Sequence, residues 1–133
     1  MKLFFPAISA ALWCCLAAAA STPPPVRAEI DALLTRLQAS GCQFSRNGSW
    51  HSGSEAKEHL LRKLEHLESK ETVQSAERFI ELAASRSSWS GQAYQVKCAG
   101  ASPVESQVWL SRQLEIIRVS SSHGNRSPAF TPP

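Results

Sequence analysis

Two cysteines, Cys42 and Cys98, restrict the fold of this chain most strongly, because they are the pair that remains after the predicted loss of an amino-terminal leader. Two cysteines allow a single intramolecular pairing. In an oxidising compartment we expect them to form a disulfide, and closing a loop of this length would stabilise the domain by about 4 kcal/mol. Any fold of the chain must therefore bring residue 42 next to residue 98.

The leader itself is the segment 1–20, which has the layout of a secretory signal peptide. Lys2 supplies a positive start, residues 3–20 are almost wholly apolar, and Ala18 and Ala20 place small side chains at positions −3 and −1 of a cut after Ala20. We therefore expect a periplasmic or secreted protein.

Three alternatives to this cut stay open. Residues 3–20 are long enough for an uncleaved inner-membrane anchor, although no basic stop-transfer cluster follows them. A lipid on Cys14 or Cys15 is the second alternative, although neither cysteine follows a small residue. A cut after Ala28 also satisfies the small-residue rule, but it would remove the start of the first predicted helix.

The length of the chain after the signal peptide predicts one small domain, and its charge bears on possible partners. Residues 21–25 form a Pro-rich leader, residues 26–119 a single globular domain, and residues 120–133 a disordered tail rich in Ser and Pro. The whole chain has 14 basic and 11 acidic residues, a net charge of +3, which falls to +2 without Lys2, and these charges are interspersed. We therefore expect no nucleic-acid partner and no membrane-surface partner after cleavage.

Apolar residues at helical spacing predict four helices. They cover about residues 26–40, 53–68 after a Ser52 cap, 73–85 after a Thr72 cap, and the stretch that Ser102 caps, up to residue 119. Gly41 is expected at the left-handed carboxyl-terminal cap of the first helix.

Two segments predict strands. Residues 42–50 read as a short hairpin, because Asn47-Gly48 is typical of a type I′ turn. Residues 92–98 read as a strand with Tyr94, Val96 and Cys98 on one face. The sequence thus predicts an α+β domain in which four helices pack on a two- to three-stranded sheet stapled by one disulfide.

Four segments of the chain form a specific combination: Phe44-x-Arg46-Asn47-Gly48, Glu55-Ala56-x-x-His59-Leu60-x-x-Lys63, Ala76-Glu77-x-Phe79-Ile80 and Ser87-Ser88-x-Ser90-Gly91-x-x-Tyr94. Together they resemble the YfeK-like family of small exported bacterial proteins, a domain of unknown function. The resemblance spans about residues 26–118 and implies a Gram-negative periplasmic protein, with no reaction, cofactor or catalytic residue to transfer.

The candidate site begins with Glu55, His59 and Lys63, which stand four residues apart on one face of the second predicted helix. One interpretation is a polar site that Arg46 and Asn47 fold over; the other is a solvated stripe of ion pairs. Trp89, in a loop of serines, is the best candidate for an exposed aromatic contact. The serines themselves are expected to bond the backbone of their own turn.

Other chemistry finds weaker support in the sequence. Glu55 and His66 lie about 16 Å apart along a helix, too far to share one metal ion, so we expect no metal and no cofactor. Ser54-x-x-Lys57 resembles a serine-enzyme motif, but the chain lacks its partner motifs. The wide separation of the cysteines also argues against redox exchange.

These observations favour a non-catalytic periplasmic module that binds a protein or an envelope component, with Arg46, Asn47, Glu55, His59, Lys63 and Trp89 as candidate binding residues. One alternative is a small cell-wall-directed hydrolase with His59 as general base and Glu55 orienting it. Another is a secreted inhibitor of a lytic enzyme that presents the Asn47-Gly48 hairpin tip.

Overall fold

A computed structural model describes residues 21–125, so the predicted signal peptide lies outside the described residues. The predicted α+β class with four helices and one disulfide is confirmed, and the sheet has four antiparallel strands rather than two or three. The helices are Pro24–Ala39 (α1), Gly53–Glu68 (α2), Ala76–Phe79 (α3) and Ser106–Gly124 (α4); the strands are Gln43–Arg46 (β1), Ser49–His51 (β2), Gln95–Lys97 (β3) and Val104–Glu105 (β4), in the sheet order β2-β1-β3-β4.

The β1–β2 hairpin forms where the turn signal predicts it. Asn47 has a φ of 50° and Gly48 a φ of 81°, the left-handed backbone that a type I′ turn requires at both positions. The turn opposes Phe44 with His51. Because side chains alternate along a strand, Phe44 and Arg46 lie on the same face of the sheet. Phe44 is buried there beneath the helices.

The disulfide lies at one end of the pairing between β1 and β3. This pairing opposes Phe44 with Val96. The same register, continued by two positions, opposes Cys42 with Cys98, and these two residues are bonded. The cross-link therefore joins facing positions on the helix-covered side of the sheet, beside the buried pair.

The start of α4 differs from the prediction. Ser102 does not cap the helix; instead Val104 pairs with Val96 of β3, and the helix begins at Ser106 after Glu105, whose side chain makes no capping bond. The Ser106 N–H donates to the carbonyl oxygen of Tyr94 at 2.9 Å. The prediction was wrong because the capping pattern takes no account of strand pairing: the free edge of β3, only a few residues earlier in the chain, pairs with this segment before the helix can begin.

The third helix also begins later than predicted. Ser75 rather than Thr72 caps it, since the Ser75 hydroxyl oxygen accepts from the Arg78 N–H at 3.1 Å. The helix widens into a π-helical turn over Ile80–Ala84. There the Ser85 hydroxyl donates to the Ile80 carbonyl oxygen at 2.7 Å, which ends the turn and directs the chain toward the loop at 86–91.

Two predicted boundaries shift at the ends of the domain. Pro24 and Pro25 belong to α1 rather than to a flexible leader, because proline is well suited to the first turn of a helix. At the other end α4 continues to Gly124, so the predicted disordered tail is wrong for residues 120–124. The rest of that tail, residues 126–133, lies outside the described residues.

The core lies between the sheet and the helices. The helix α1 contacts both α2 and α4. Close contact with α2 depends on Gly53, where a Cβ atom would stand 2.5 Å from the Leu37 carbonyl oxygen. The buried side chains of the core are Ile30, Leu33, Leu34, Leu37, Cys42, Phe44, Ala56, Leu60, Leu64, Val73, Ala76, Phe79, Ile80, Ala83, Ala84, Tyr94, Val96, Leu110 and Leu114.

We predict that replacing both cysteines, C42S with C98S, lowers the free energy of unfolding by about 4 kcal/mol, because the unfolded chain regains the freedom of a loop that spans 56 positions. Urea denaturation of the oxidised protein and of the double variant measures the difference. Treatment with a reductant should shift the unfolding midpoint of the parent protein and leave the variant unchanged. Equal midpoints for the oxidised parent and the variant would contradict the prediction.

Candidate functional site

The candidate site is built around Tyr94, which the sequence analysis placed on one face of a strand and not among the candidate binding residues. Its ring is buried against Phe44, with the ring centroids 5.0 Å apart. The hydroxyl oxygen lies 3.0 Å from the Nε2 atom of His59 and 3.2 Å from the Nζ atom of Lys63. A buried tyrosine hydroxyl needs polar partners, and α2 supplies two of them.

Arg46 completes this group from the end of β1. The register that opposes Phe44 with Val96 places Arg46 opposite Tyr94, on the side that faces α2. The Arg46 Nη1 atom lies 2.6 Å from the Nδ1 atom of His59. The hairpin turn thus brings a guanidinium from the sheet onto the polar face of the helix.

The contact with Arg46 determines which nitrogen of His59 carries the proton. A guanidinium can only donate, so Nδ1 must accept and the neutral ring holds its hydrogen on Nε2. Nε2–H then donates to the Tyr94 hydroxyl oxygen. Lys63 also donates to that oxygen. With its oxygen accepting two hydrogen bonds, Tyr94 keeps its own O–H for a further acceptor.

The surroundings shift the ionisation of all three partners. Burial, followed by the nearby charges of Arg46 and Lys63, lowers the pKa of His59 to about 4. Burial lowers the pKa of Lys63 to about 8. Burial also raises the pKa of Tyr94 above its ordinary value. At neutral pH the group therefore consists of a neutral imidazole, a neutral phenol and two cations, one of them Arg46.

Glu55 does not take the predicted place beside His59. Its Oε2 atom lies 3.0 Å from the Nδ1 atom of His51, in a solvent-exposed contact at the start of α2. The hydrolase hypothesis needed Glu55 to orient His59, and this geometry is absent from the described residues. Glu55 binds His51 because His51 ends β2 just before α2 begins. The two side chains are therefore neighbours at the start of the helix.

The loop 86–91 closes the other side of the site. The Ser87 hydroxyl oxygen accepts from the backbone N–H groups of Trp89 and Ser90, each at 3.3 Å. The Ser90 hydroxyl donates to the Asn47 side-chain oxygen at 2.6 Å, which connects the loop to the hairpin turn. These bonds hold the backbone of Trp89 in place while its side chain stays 92 % exposed.

An open cleft of about 330 Å³ lies between α2, the hairpin turn and this loop. Five of the six predicted binding residues line it, and Glu55 lines a neighbouring cleft instead. None of the residues that the structure places around this cleft is acidic. The lining residues are Arg46, Asn47, His59, Lys63, Ser87, Ser88, Trp89 and Tyr94.

The arrangement can bind and orient a ligand more readily than it can move a proton. Both nitrogens of His59 are engaged, so the imidazole has no free acceptor to serve as a general base. Lys63 uses two of its protons, on the Arg86 carbonyl oxygen at 2.9 Å and on Tyr94. Over residues 21–125 no group of three or more His, Cys, Asp or Glu side chains is arranged to hold a metal ion.

The sequence carried one signal for the missed residue. Tyr94 is the only tyrosine of the chain and alternates with Val96 and Cys98 on one face of the predicted strand, a face that the structure buries at Tyr94 and Val96. A buried tyrosine hydroxyl needs hydrogen-bond partners, so such a tyrosine is expected to contact polar side chains from other elements. Which side chains reach it depends on how α2 packs on the sheet.

We predict that R46A raises the pKa of His59 above its value of about 4, because the variant removes a nearby cation and frees Nδ1. The pKa should stay below 6.5, since burial is the largest cause of the shift and remains. An NMR titration of the His59 ring protons measures both values, with R112A on the exposed face of α4 as the charge-matched control. An unchanged pKa in R46A would contradict the prediction.

We also predict that stability falls between pH 7 and pH 4. In this range an unfolded His59 takes up a proton that the folded ring, with its pKa of about 4, does not. The contribution is complete above about pH 6.5 and is lost as the pH falls through this window, by about 1–2 kcal/mol for a partly solvated group. Urea denaturation of the parent and of H59Q should show a flatter pH dependence in the variant. Parallel pH profiles would contradict the prediction.

Comparison with known proteins connects this site to a sequence family. The model of a family described as a family of unknown function, DUF5329, matches residues 24–118. This range runs from the start of α1 into α4 and includes every residue of the cleft. No curated protein and no solved structure matches the chain significantly. The chain therefore belongs to the DUF5329 family of unknown function.

Proposed function

We propose that this protein is a non-catalytic exported module that binds an envelope component or a protein through the cleft between Arg46 and Trp89. One observation carries the proposal: the hairpin turn, α2 and the loop 86–91 bring five predicted binding residues to a single cleft. The side chains of Arg46, Asn47, His59 and Lys63 are hydrogen-bonded within the protein, and the Ser87 hydroxyl holds the backbone of Trp89. A preorganised set of this kind lowers the entropic cost of binding.

Export is supported by the leader and by the disulfide. Residues 1–20 have the signal-peptide pattern, and the bond between Cys42 and Cys98 suits an oxidising compartment such as the periplasm. Within the described residues no helix has the length and apolar character needed to cross a membrane. The YfeK-like resemblance remains part of this proposal, as the finer relationship within a family of unknown function.

The two alternatives receive less support from the geometry. A hydrolase would need a free acceptor on His59, and Arg46 occupies the nitrogen without a proton. An inhibitor that plugs an active site would need a protruding hairpin tip. Here Asn47, at the tip, is bonded to Ser90 of the neighbouring loop. The same contact instead shapes one wall of the cleft.

The proposal predicts that capture of a partner depends on the cleft. The oxidised exported protein is immobilised and exposed to a cell-envelope extract, and W89A and K63A should each lose the retained component. W50A is the matched control, because Trp50 is 37 % exposed on the opposite face of the sheet, with the Lys97 ammonium 4.7 Å from its ring centroid. W50A should retain the component.

Two results would overturn the proposal. One is equal retention by the parent protein, W89A and K63A, which would show that the cleft does not bind the retained component. The other is release of soluble fragments from purified cell-wall material by the parent protein, which would indicate catalysis. Unfolding midpoints of all variants identify any loss that reflects misfolding, and W89A is the safest variant because its side chain lies almost wholly in solvent.

A further inference from the structure

The chemistry of the cleft wall restricts the ligand further, and this step rests on the proposed function because it concerns the same cleft. Arg46 uses one of its five N–H groups on His59, Lys63 uses two of its three, and the Tyr94 O–H is left to donate. Arg46 and Tyr94 contact the two nitrogens of His59, Lys63 contacts Tyr94, and all three residues line the same cleft. Such a group of donors favours an acceptor with several lone pairs and negative charge.

The potential at this position is positive as well. Arg46 and Lys63 are cations, the neighbouring His59 is neutral, and no carboxylate is among the residues that the structure places around the cleft. Two acidic residues, Glu55 and Glu58, line the adjoining cleft, where Glu55 is engaged with His51. An oxyanion would therefore meet two cations without an opposing charge in the cleft wall.

Trp89 adds a second requirement to the ligand. Its indole is 92 % exposed while the Ser87 hydroxyl oxygen holds its backbone, so the ring is presented to solvent at the rim of the cleft. Ser88 also lines this rim and offers a hydroxyl that donates and accepts. A flat ring with C–H groups on one face and hydroxyls at its edge would stack on the indole and bond the serine.

We infer that the cleft binds an acidic sugar, with its carboxylate or phosphate on Arg46, Lys63 and Tyr94 and its ring stacked on Trp89. The cleft volume of about 330 Å³ suits one or two sugar rings. Both oxyanions match the planar donor fork of arginine, so the shared chemistry is a sugar-linked oxyanion. A peptide ligand would also require acceptors for its N–H groups, and the cations and hydroxyl at the base of the cleft supply donors.

The inference is tested by NMR titration of the oxidised exported protein with single sugars. The carboxylate probe is N-acetylmuramic acid, the phosphate probe is N-acetylglucosamine 1-phosphate, and the neutral probe is N-acetylglucosamine. At least one acidic sugar should bind about tenfold tighter than the neutral sugar, as expected for charge-assisted hydrogen bonds. The tighter of the two acidic probes indicates whether the natural oxyanion is a carboxylate or a phosphate.

Variants separate the two halves of the site. K63A should reduce the preference for the acidic sugar to less than about threefold, and W89A should weaken binding of both acidic and neutral sugars. W50A and R112A are the matched aromatic and charge controls and should bind like the parent protein. The sugar affinity of R46Q is compared only after its unfolding midpoint is measured, because Arg46 also contacts His59 and its replacement can change stability.

Several outcomes would overturn the inference. Equal affinity for acidic and neutral sugars would show that the cleft has no oxyanion site. If free acetate or inorganic phosphate bound as tightly as the acidic sugars, and W89A had no effect, the sugar ring would not be part of the ligand. Absence of binding by all the probes would also overturn it. If the capture of an envelope component still required Trp89 and Lys63 in these cases, the ligand class would be wrong while the proposed binding function would stand.

Discussion

The antiparallel pairing of β1 with β3 is the constraint on which the fold and the site both depend. One register opposes Cys42 with Cys98 at one end, Phe44 with Val96 in the middle, and Arg46 with Tyr94 at the other end. All these pairs lie on the face that the helices cover. A slip of one residue would turn the whole set toward solvent, and the disulfide at one end opposes such a slip.

Tyr94 connects the core to the cleft. Its ring contributes to the apolar interior beside Phe44, and its hydroxyl receives hydrogen bonds from His59 and Lys63 at the cleft wall. The same side chain therefore stabilises the sheet–helix contact and positions the polar groups. Arg46 extends the chain of contacts and fixes the proton of His59 on Nε2, while burial is the largest cause of the low pKa of this ring. The result is a rigid wall of donors rather than an acid–base pair.

Local signals in the sequence predicted most of the helices and the hairpin, and failed where a neighbouring strand competed for the same residues. Asn47-Gly48 and Ser52 act within a few residues, so their turn and cap appear as predicted. The cap predicted at Ser102 was replaced by β4, because β3 offers an open edge that no local pattern reveals. Among the site residues, Glu55 was misplaced for a similar reason, since its partner His51 comes from the hairpin.

By itself the sequence determined the α+β class, the pair of cysteines, the hairpin turn and the residue types available for a polar site. It did so because helical spacing, turn chemistry and cysteine number are properties of short segments or of simple counts. Only the tertiary structure decided that Tyr94 lies at the centre, that Arg46 rather than Glu55 contacts His59, and that Trp89 stands across the same cleft. Those contacts join segments far apart in the chain, and their formation depends on strand register and on helix packing against the sheet.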